Sequence, residues 1–160
     1  MDEFWQAYLD TLLPGSPLPE RYPSFYLGAN SDLAGRLGAL VRDGTKTATC
    51  GLLWEYEAEG ERLPAPGQRS ILTTFEGQPL CIVEISDVLV QPFDAVDEQF
   101  AYEEGEGDRS LAYWRRAHTD FFTPICAALG RELSDDTPLV CERFRVIFPE
   151  PPRPQDATRG

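Results

Sequence analysis

Positive charge is scarce in this chain. Fourteen basic residues stand against twenty-seven acidic ones over 160 positions, a net charge of −13. Asp94, Asp97, Glu98, Glu103, Glu104, Glu106 and Asp108 fall in one stretch with no basic residue among them. Proteins that grip duplex nucleic acid do so largely through Lys and Arg on phosphates, so duplex DNA is disfavoured as a partner. A short single strand or a nucleoside can still enter a local pocket. Long apolar runs are missing as well, and the N-terminus carries Asp2 and Glu3 in place of a basic leader. Neither a membrane span nor a secretory signal is expected, and a cytoplasmic location follows. Cys50, Cys81, Cys126 and Cys141 lack paired spacing, which argues against a zinc site and against a disulfide framework.

Lysine and histidine each occur once, as Lys46 and His118. Arginine does not give up its proton in a protein, whereas a lysine amine can be driven toward neutrality by burial and then act as base or nucleophile. A chain that uses arginine elsewhere and lysine at Gly44-Thr45-Lys46-Thr47-Ala48-Thr49 points to a need for an amine there. The plainer reading is an arginine-rich composition that left one lysine on a loop. His118 shares the apolar side of its helix with Trp114, Phe121 and Phe122, which favours a buried, hydrogen-bonded role over proton transfer.

Hydrophobic residues make up 42% of the chain, with three Trp, nine Phe and six Tyr, enough for the core of one domain. Phe4, Trp5, Tyr8, Leu9 and Leu12 form the stripe of a first helix that ends at Pro14-Gly15. Ser31-Asp32 reads as the cap of a helix over Leu33, Leu37, Leu40 and Val41, stopped at Asp43-Gly44. A further helix is expected to start at Thr47 to Thr49 and to carry Leu52, Leu53 and Tyr56. The loop before it would then face a helix N-terminus, where free N–H groups stabilise an anion or a developing oxyanion. Ser70 to Phe75, a turn at Glu76 to Pro79, and Leu80 to Val90 read as a hairpin, and Leu139 to Phe148 as a closing strand. Leu111 to Leu129 has helical spacing, with Pro124 expected to kink it or force a fresh start capped by Thr123.

Gly44-x-Lys46-x-x-Thr49 resembles the signature loop of the ASCH domain, a small β-barrel family related to the PUA RNA-binding domains. The resemblance covers residues 22–149. It includes Leu52-Leu53-Trp54-Glu55-Tyr56-Glu57 after the loop, and Pro66-Gly67 before a strand. Glu104-Gly105-Glu106-Gly107-Asp108 then leads into Ser110-Leu111-x-Tyr113-Trp114-Arg115, and the ending Val140 to Val146 fits the longer, bacterial type. It implies an α+β fold: a PUA-like barrel of about five to six strands in a mixed sheet, flanked by helices. Residues 1–21 would supply a helix and linker packed on that barrel, and the proline-rich residues 150–160 a flexible tail.

Some small ASCH members are amidohydrolases that remove the acetyl group from acetylated cytidine. Carried over, the resemblance implies Lys46, Thr49 and Glu104 as catalytic residues. Thr49 would be the nucleophile and neutral Lys46 its base, while Glu104 serves the leaving amine and Glu106 is the alternative to it. Gly44, Thr45, Thr47, Glu106, Arg109, Tyr56, Trp54 and Arg143 are the candidate substrate contacts. A lysine beside carboxylates tends to stay charged, which would make Lys46 an electrostatic clamp. That suits the ribonuclease activity also ascribed to the family, and a non-catalytic RNA-binding module is the third reading. The acidic, glycine-rich run can equally be a solvated loop in which Asp108 caps the next helix. No cofactor is expected, and a divalent metal enters only with the ribonuclease reading. The implied partner is a ribonucleoside or short single-stranded RNA, with no membrane and with monomer or homodimer both open. The overall acidity suits an uncharged substrate and favours the hydrolase.

Overall fold

The computed structural model describes residues 1–151. Along them run α1 (Asp2–Leu9), β1 (Ser24–Phe25), α2 (Ser31–Arg42), β2 (Ala48–Leu52) and α3 (Leu53–Glu59). These are followed by β3 (Arg69–Thr73), β4 (Pro79–Pro92), a 3-10 turn at Phe93–Ala95, α4 (Glu98–Glu104), α5 (Leu111–Ala128) and β5 (Pro138–Phe148). The strands make one mixed sheet in the order β1-β3-β4-β5-β2. β1 runs parallel to β3, whereas β3 pairs antiparallel with β4 and β2 antiparallel with β5. This is the α+β class expected from the sequence. No helix among the described residues is long and apolar enough to cross a membrane. The tail expected at 150–160 lies, from residue 152 on, outside the described residues.

The chain divides into two compact units. The first holds residues 1–44, residues 68–84 and the stretch beginning at Arg145. Its core joins Trp5 and Tyr8 of α1 to Ile71 of β3 and Ile82 of β4, with Phe4, Leu12, Tyr22 and Phe148 around them. The N-terminal helix thus packs on the sheet through the stripe read from its spacing, although it ends at Leu9, short of Leu12. α2 buries Ala34, Leu37, Gly38 and Val41. A Cβ on Gly38 would stand 2.5 Å from Leu80 Cδ1, so a larger residue there would make the end of the Leu80 side chain move.

The second unit holds residues 45–67 and 85–144. Ala48 and Leu52 of β2, Phe100 and Ala101 of α4, Trp114, Phe122 and Cys126 of α5, and Leu139 and Cys141 of β5 form its core. Burying one such large apolar side chain contributes roughly 1.5–3 kcal/mol, so this layer fixes how α4 and α5 lie on the β2–β5 ladder.

Several local expectations are corrected. No helix starts at Thr47 to Thr49: residues 48–52 are strand, paired Ala48 to Arg143 through Leu52 to Leu139, and the helix begins only at Leu53. The backbone groups of this segment are satisfied by β5, a distant partner that overrides weak local helix signals. The α2 cap is Asn30, one position earlier than read, its Oδ1 accepting from Leu33 N–H at 2.9 Å. Of the two outcomes expected at Pro124, the fresh start does not occur, because α5 runs unbroken through it. Pro124 and Asp120, whose carbonyl would have received the missing N–H, are both exposed, so water can serve that carbonyl. The Thr123 hydroxyl donates back to Thr119 C=O at 2.5 Å and does not cap a new start. Asp108 accepts from Ser110 N–H, but Ser110 itself caps α5.

Candidate functional site

Lys46 leaves the chain just before β2 and is 2% exposed. Its Nζ lies 3.0 Å from Glu106 Oε2, 3.4 Å from Glu104 Oε1 and 3.3 Å from the Glu104 carbonyl. Glu104, the last residue of α4, is 1% exposed. Its Oε2 accepts from the Trp114 indole N–H, meets His118 Nε2 at 3.1 Å and receives the Cys50 thiol at 3.7 Å. One buried carboxylate is therefore surrounded by donors from β2, from the segment before it and from α5.

Two unusual backbone positions hold this arrangement. Asp97 caps α4 by accepting from Phe100 N–H, and Gly105 ends it in the left-handed region at φ 72. A Cβ on Gly105 would stand 2.5 Å from the Thr45 carbonyl oxygen, so only glycine lets the end of α4 approach the Lys46 segment. Arg109, at φ 65, donates from Nε to Tyr102 C=O at 2.9 Å and from Nη2 to Thr45 C=O at 3.3 Å. Its guanidinium also lies 3.5 Å above the Tyr102 ring. Thr47 N–H donates to Glu103 C=O at 2.8 Å.

The electrostatics follow from this geometry. Burial pulls the Lys46 amine down, but Glu104 and then Glu106 outweigh it and hold the amine above its ordinary value. Burial pushes Glu104 up, yet Lys46, His118 and Trp114 together hold its carboxyl below the usual carboxylate range. The pair is thus ionised, and Lys46 is an ammonium rather than a neutral base. Burial, reinforced by Glu104, raises the Cys50 thiol well above its usual value, so it stays protonated and acts as a donor. His118 Nδ1 faces the Trp114 carbonyl at 2.9 Å and its Nε2 faces a carboxylate oxygen. Those contacts call for one proton on Nδ1 and another between Nε2 and Oε2.

Cys50, Glu104 and His118 bring S, O and N within 4.8 Å of one another. In this arrangement Oε2 is shared by the indole, the thiol and the imidazole, and a charged amine stands at Oε1.

Thr49 lies elsewhere. Side chains alternate across a strand, and Ala48, Cys50 and Leu52 pack with Cys141 and Leu139 in the core on one face of β2. Thr49 and Gly51 therefore point to the other face, as do their ladder partners Glu142 and Val140. Tyr56 of α3 is on that side too: a Cβ on Gly51 would stand 3.8 Å from its Cε2. Thr49 is half-buried, and among the described residues its hydroxyl makes no hydrogen bond.

Of the other predicted contacts, Glu106 joins Lys46, while Arg109 and Thr47 fasten the segment through backbone carbonyls. Gly44 closes α2 at φ 85, and Thr45 offers its carbonyl to Arg109. Trp54 packs against the core and lies under Arg131. Arg143 is engaged with Glu103 at 2.6 Å and Asp87 at 3.2 Å, apart from Lys46. Trp114 and Cys50 were not foreseen as partners of Glu104; the i, i+4 spacing of Trp114 and His118, whose rings stack at 4.1 Å, was the available signal.

The ASCH domain family model matches residues 24–148. The structure is similar to that of an ASCH domain from Lactobacillus crispatus JV V101 at TM-score 0.83 and 36% identity, covering 91% of this chain and 92% of that one. It is also similar to protein EF3133 from Enterococcus faecalis V583, of the DUF984 family model, at TM-score 0.77 and 36% identity, covering 91% and 86%. Hypothetical protein PH0355, at 15% identity and TM-score 0.51 over 80% of this chain and 100% of that one, shares the fold alone. Among functionally curated proteins none matches the chain. The matched span, the Gly44 to Thr49 loop and the PUA-like architecture agree, and the chain belongs to the ASCH domain family.

Proposed function

We propose that the protein is a small hydrolase that cleaves the exocyclic amide of an acylated ribonucleoside of the N4-acetylcytidine type, with Thr49 as acyl acceptor. The observation that carries this reading is the charge state around Lys46. Its ammonium is engaged by both Glu104 and Glu106, so a phosphate could reach it only by displacing a buried ion pair. An uncharged amide meets no such penalty. The −13 charge of the whole chain acts in the same direction. Arg109, which lines a cavity of about 450 Å³ with Glu98, Gln99, Tyr102, Ser110 and Leu111, is already engaged by Thr45 and Tyr102 and is a poor phosphate ligand.

In this reading Lys46 acts as a fixed positive charge that orders the segment entering β2, and the hydroxyl of Thr49 attacks the amide carbonyl. The test is chromatographic turnover of N4-acetylcytidine beside a short unstructured RNA, with wild type, Thr49→Val and Lys46→Ala, with and without chelator. Deacetylation that disappears in Thr49→Val and ignores chelator and salt is the expected result. RNA cleavage that disappears in Lys46→Ala, with the nucleoside untouched, would replace this reading by the ribonuclease. If wild type leaves both intact, the binding module takes its place.

A further inference from the structure

Thr49 needs a group on its own side of β2 to take its proton, and Lys46, charged and engaged on the other side, does not supply one. We propose that Glu142 is the general base for Thr49 and returns that proton to the leaving amine. This rests on the reading of Thr49 as acyl acceptor given above.

Thr49 and Glu142 are direct partners in the β2–β5 ladder and share a face. Opposed side chains on such a pair stand about 5 Å apart at Cβ, a span that a glutamate arm closes to one hydrogen bond. Glu142 is also the acid left over on its strand. Its neighbour Arg143 is held by Glu103 and Asp87, and Arg145 by Glu84. Among the described residues the Glu142 carboxylate has neither an ion pair nor a hydrogen bond, although it is half-buried.

Burial pushes the Glu142 carboxyl up to about 7, the range in which a carboxylate is both available and basic near neutrality. The titratable groups around it carry no opposing charge. Burial, then Glu142 itself, raises Tyr56 to about 12, and burial raises Cys141 to about 11, so both stay protonated.

The step balances without further reactants. Glu142 takes the Thr49 proton as Oγ1 bonds to the amide carbonyl carbon. The C–N bond breaks, and the nitrogen leaves with that proton. Water, deprotonated by Glu142, then attacks the Thr49 ester. The acid is released, and the proton returns from Glu142 to Thr49 Oγ1. The sum is amide plus water to carboxylic acid plus amine.

Acetylation of Thr49 by p-nitrophenyl acetate, located by peptide mass mapping, tests the base apart from the substrate. Lys46 is the only lysine and is buried, which keeps background acylation low. Wild type, Glu142→Gln, Glu142→Asp and Thr49→Val are compared between about pH 5 and 9, with N4-acetylcytidine turnover in parallel and thermal melts to confirm folding. Wild type is expected to acetylate Thr49 with an inflection near 7. Glu142→Gln should lose that inflection and at least about a hundredfold in rate, with partial rescue by Glu142→Asp. Unchanged rate and pH profile in Glu142→Gln, or no Thr49 ester in wild type, overturns the proposal. Nucleoside turnover without a Thr49 ester overturns Glu142 as its base and leaves the hydrolase standing. A Glu142-dependent Thr49 ester without nucleoside turnover removes the proposed substrate and leaves Glu142 standing.

Discussion

Trp114 donates its indole N–H to Oε2 of Glu104, ten residues earlier in the chain. The contact joins the first turn of α5 to the last residue of α4, and the charge it helps to hold lies at 1% exposure. A carboxylate so deep is tolerated only because donors surround it: His118 and Cys50 on the same oxygen, Lys46 on the other. The buried polar network therefore ties Lys46, Cys50, α4 and α5 into one arrangement.

Lys46→Met should be strongly destabilising. Removing one member of a buried ion pair leaves the other uncompensated and typically costs about 3–5 kcal/mol. The double variant Lys46→Met with Glu104→Gln should recover part of that loss. Denaturant unfolding of the four proteins measures the coupling, and a single-variant cost below about 1 kcal/mol would contradict a buried pair.

The acid limb of stability should depend on Glu104. Its carboxyl lies below the ordinary 4.5, so its contribution is present above that value and fades as pH falls through the lower native one. Lys46 lies above 10.5, so its contribution is complete below that value and fades only as pH rises through the higher native one. Between about pH 5 and 10 the pair should hold constant. Unfolding free energies measured against pH should show a shallower acid limb in Glu104→Gln than in wild type.

Glu142→Gln should change stability in the opposite sense. A carboxyl raised from 4.5 to about 7 opposes folding by an amount that grows between those values and is complete above the higher one. The variant should therefore be about 1–3 kcal/mol more stable than wild type at pH 8 and indistinguishable from it at pH 4. Denaturant titration at the two pH values checks this, and a loss of stability at pH 8 would show that Glu142 has a structural partner. Gain of stability with loss of Thr49 acylation is the pattern expected of a functional residue.

Gly105→Ala and Gly44→Ala should separate close packing from backbone strain. Both positions have positive φ, at 72 and 85, but a Cβ on Gly105 meets the Thr45 carbonyl whereas one on Gly44 meets nothing within 4 Å. Strain alone costs about 1 kcal/mol, so Gly44→Ala should stay near that figure and Gly105→Ala should exceed it clearly. Melting temperatures of the two variants decide it.

Much of the frame was legible because its signals are local. The stripe of α1, the amphipathic run of α2, the hairpin of β3 and β4 and the strand β5 stand close to where spacing and turn residues put them. The failures share one cause. The threonines before Leu52 and Leu53 suggest a helix start at Thr47 to Thr49, but β5 satisfies the backbone of Ala48 to Leu52 from about ninety residues away. α4 was missed because its seven residues are acidic and short, and their burial of Phe100 and Ala101 is seen only against the core.

By itself the sequence determined the class of fold, the family to which its motifs belong, and the net acidity of the chain. Those depend on composition, periodicity and short spacings, which act within a few residues. Only the tertiary structure decided that Lys46 is charged, that Glu104 is its partner together with Trp114, His118 and Cys50, and that Thr49 faces Glu142. A strand turns successive side chains to opposite faces, so the company each residue keeps is set by the register with β5 and by the helices on either face, neither of which is written beside it in the chain.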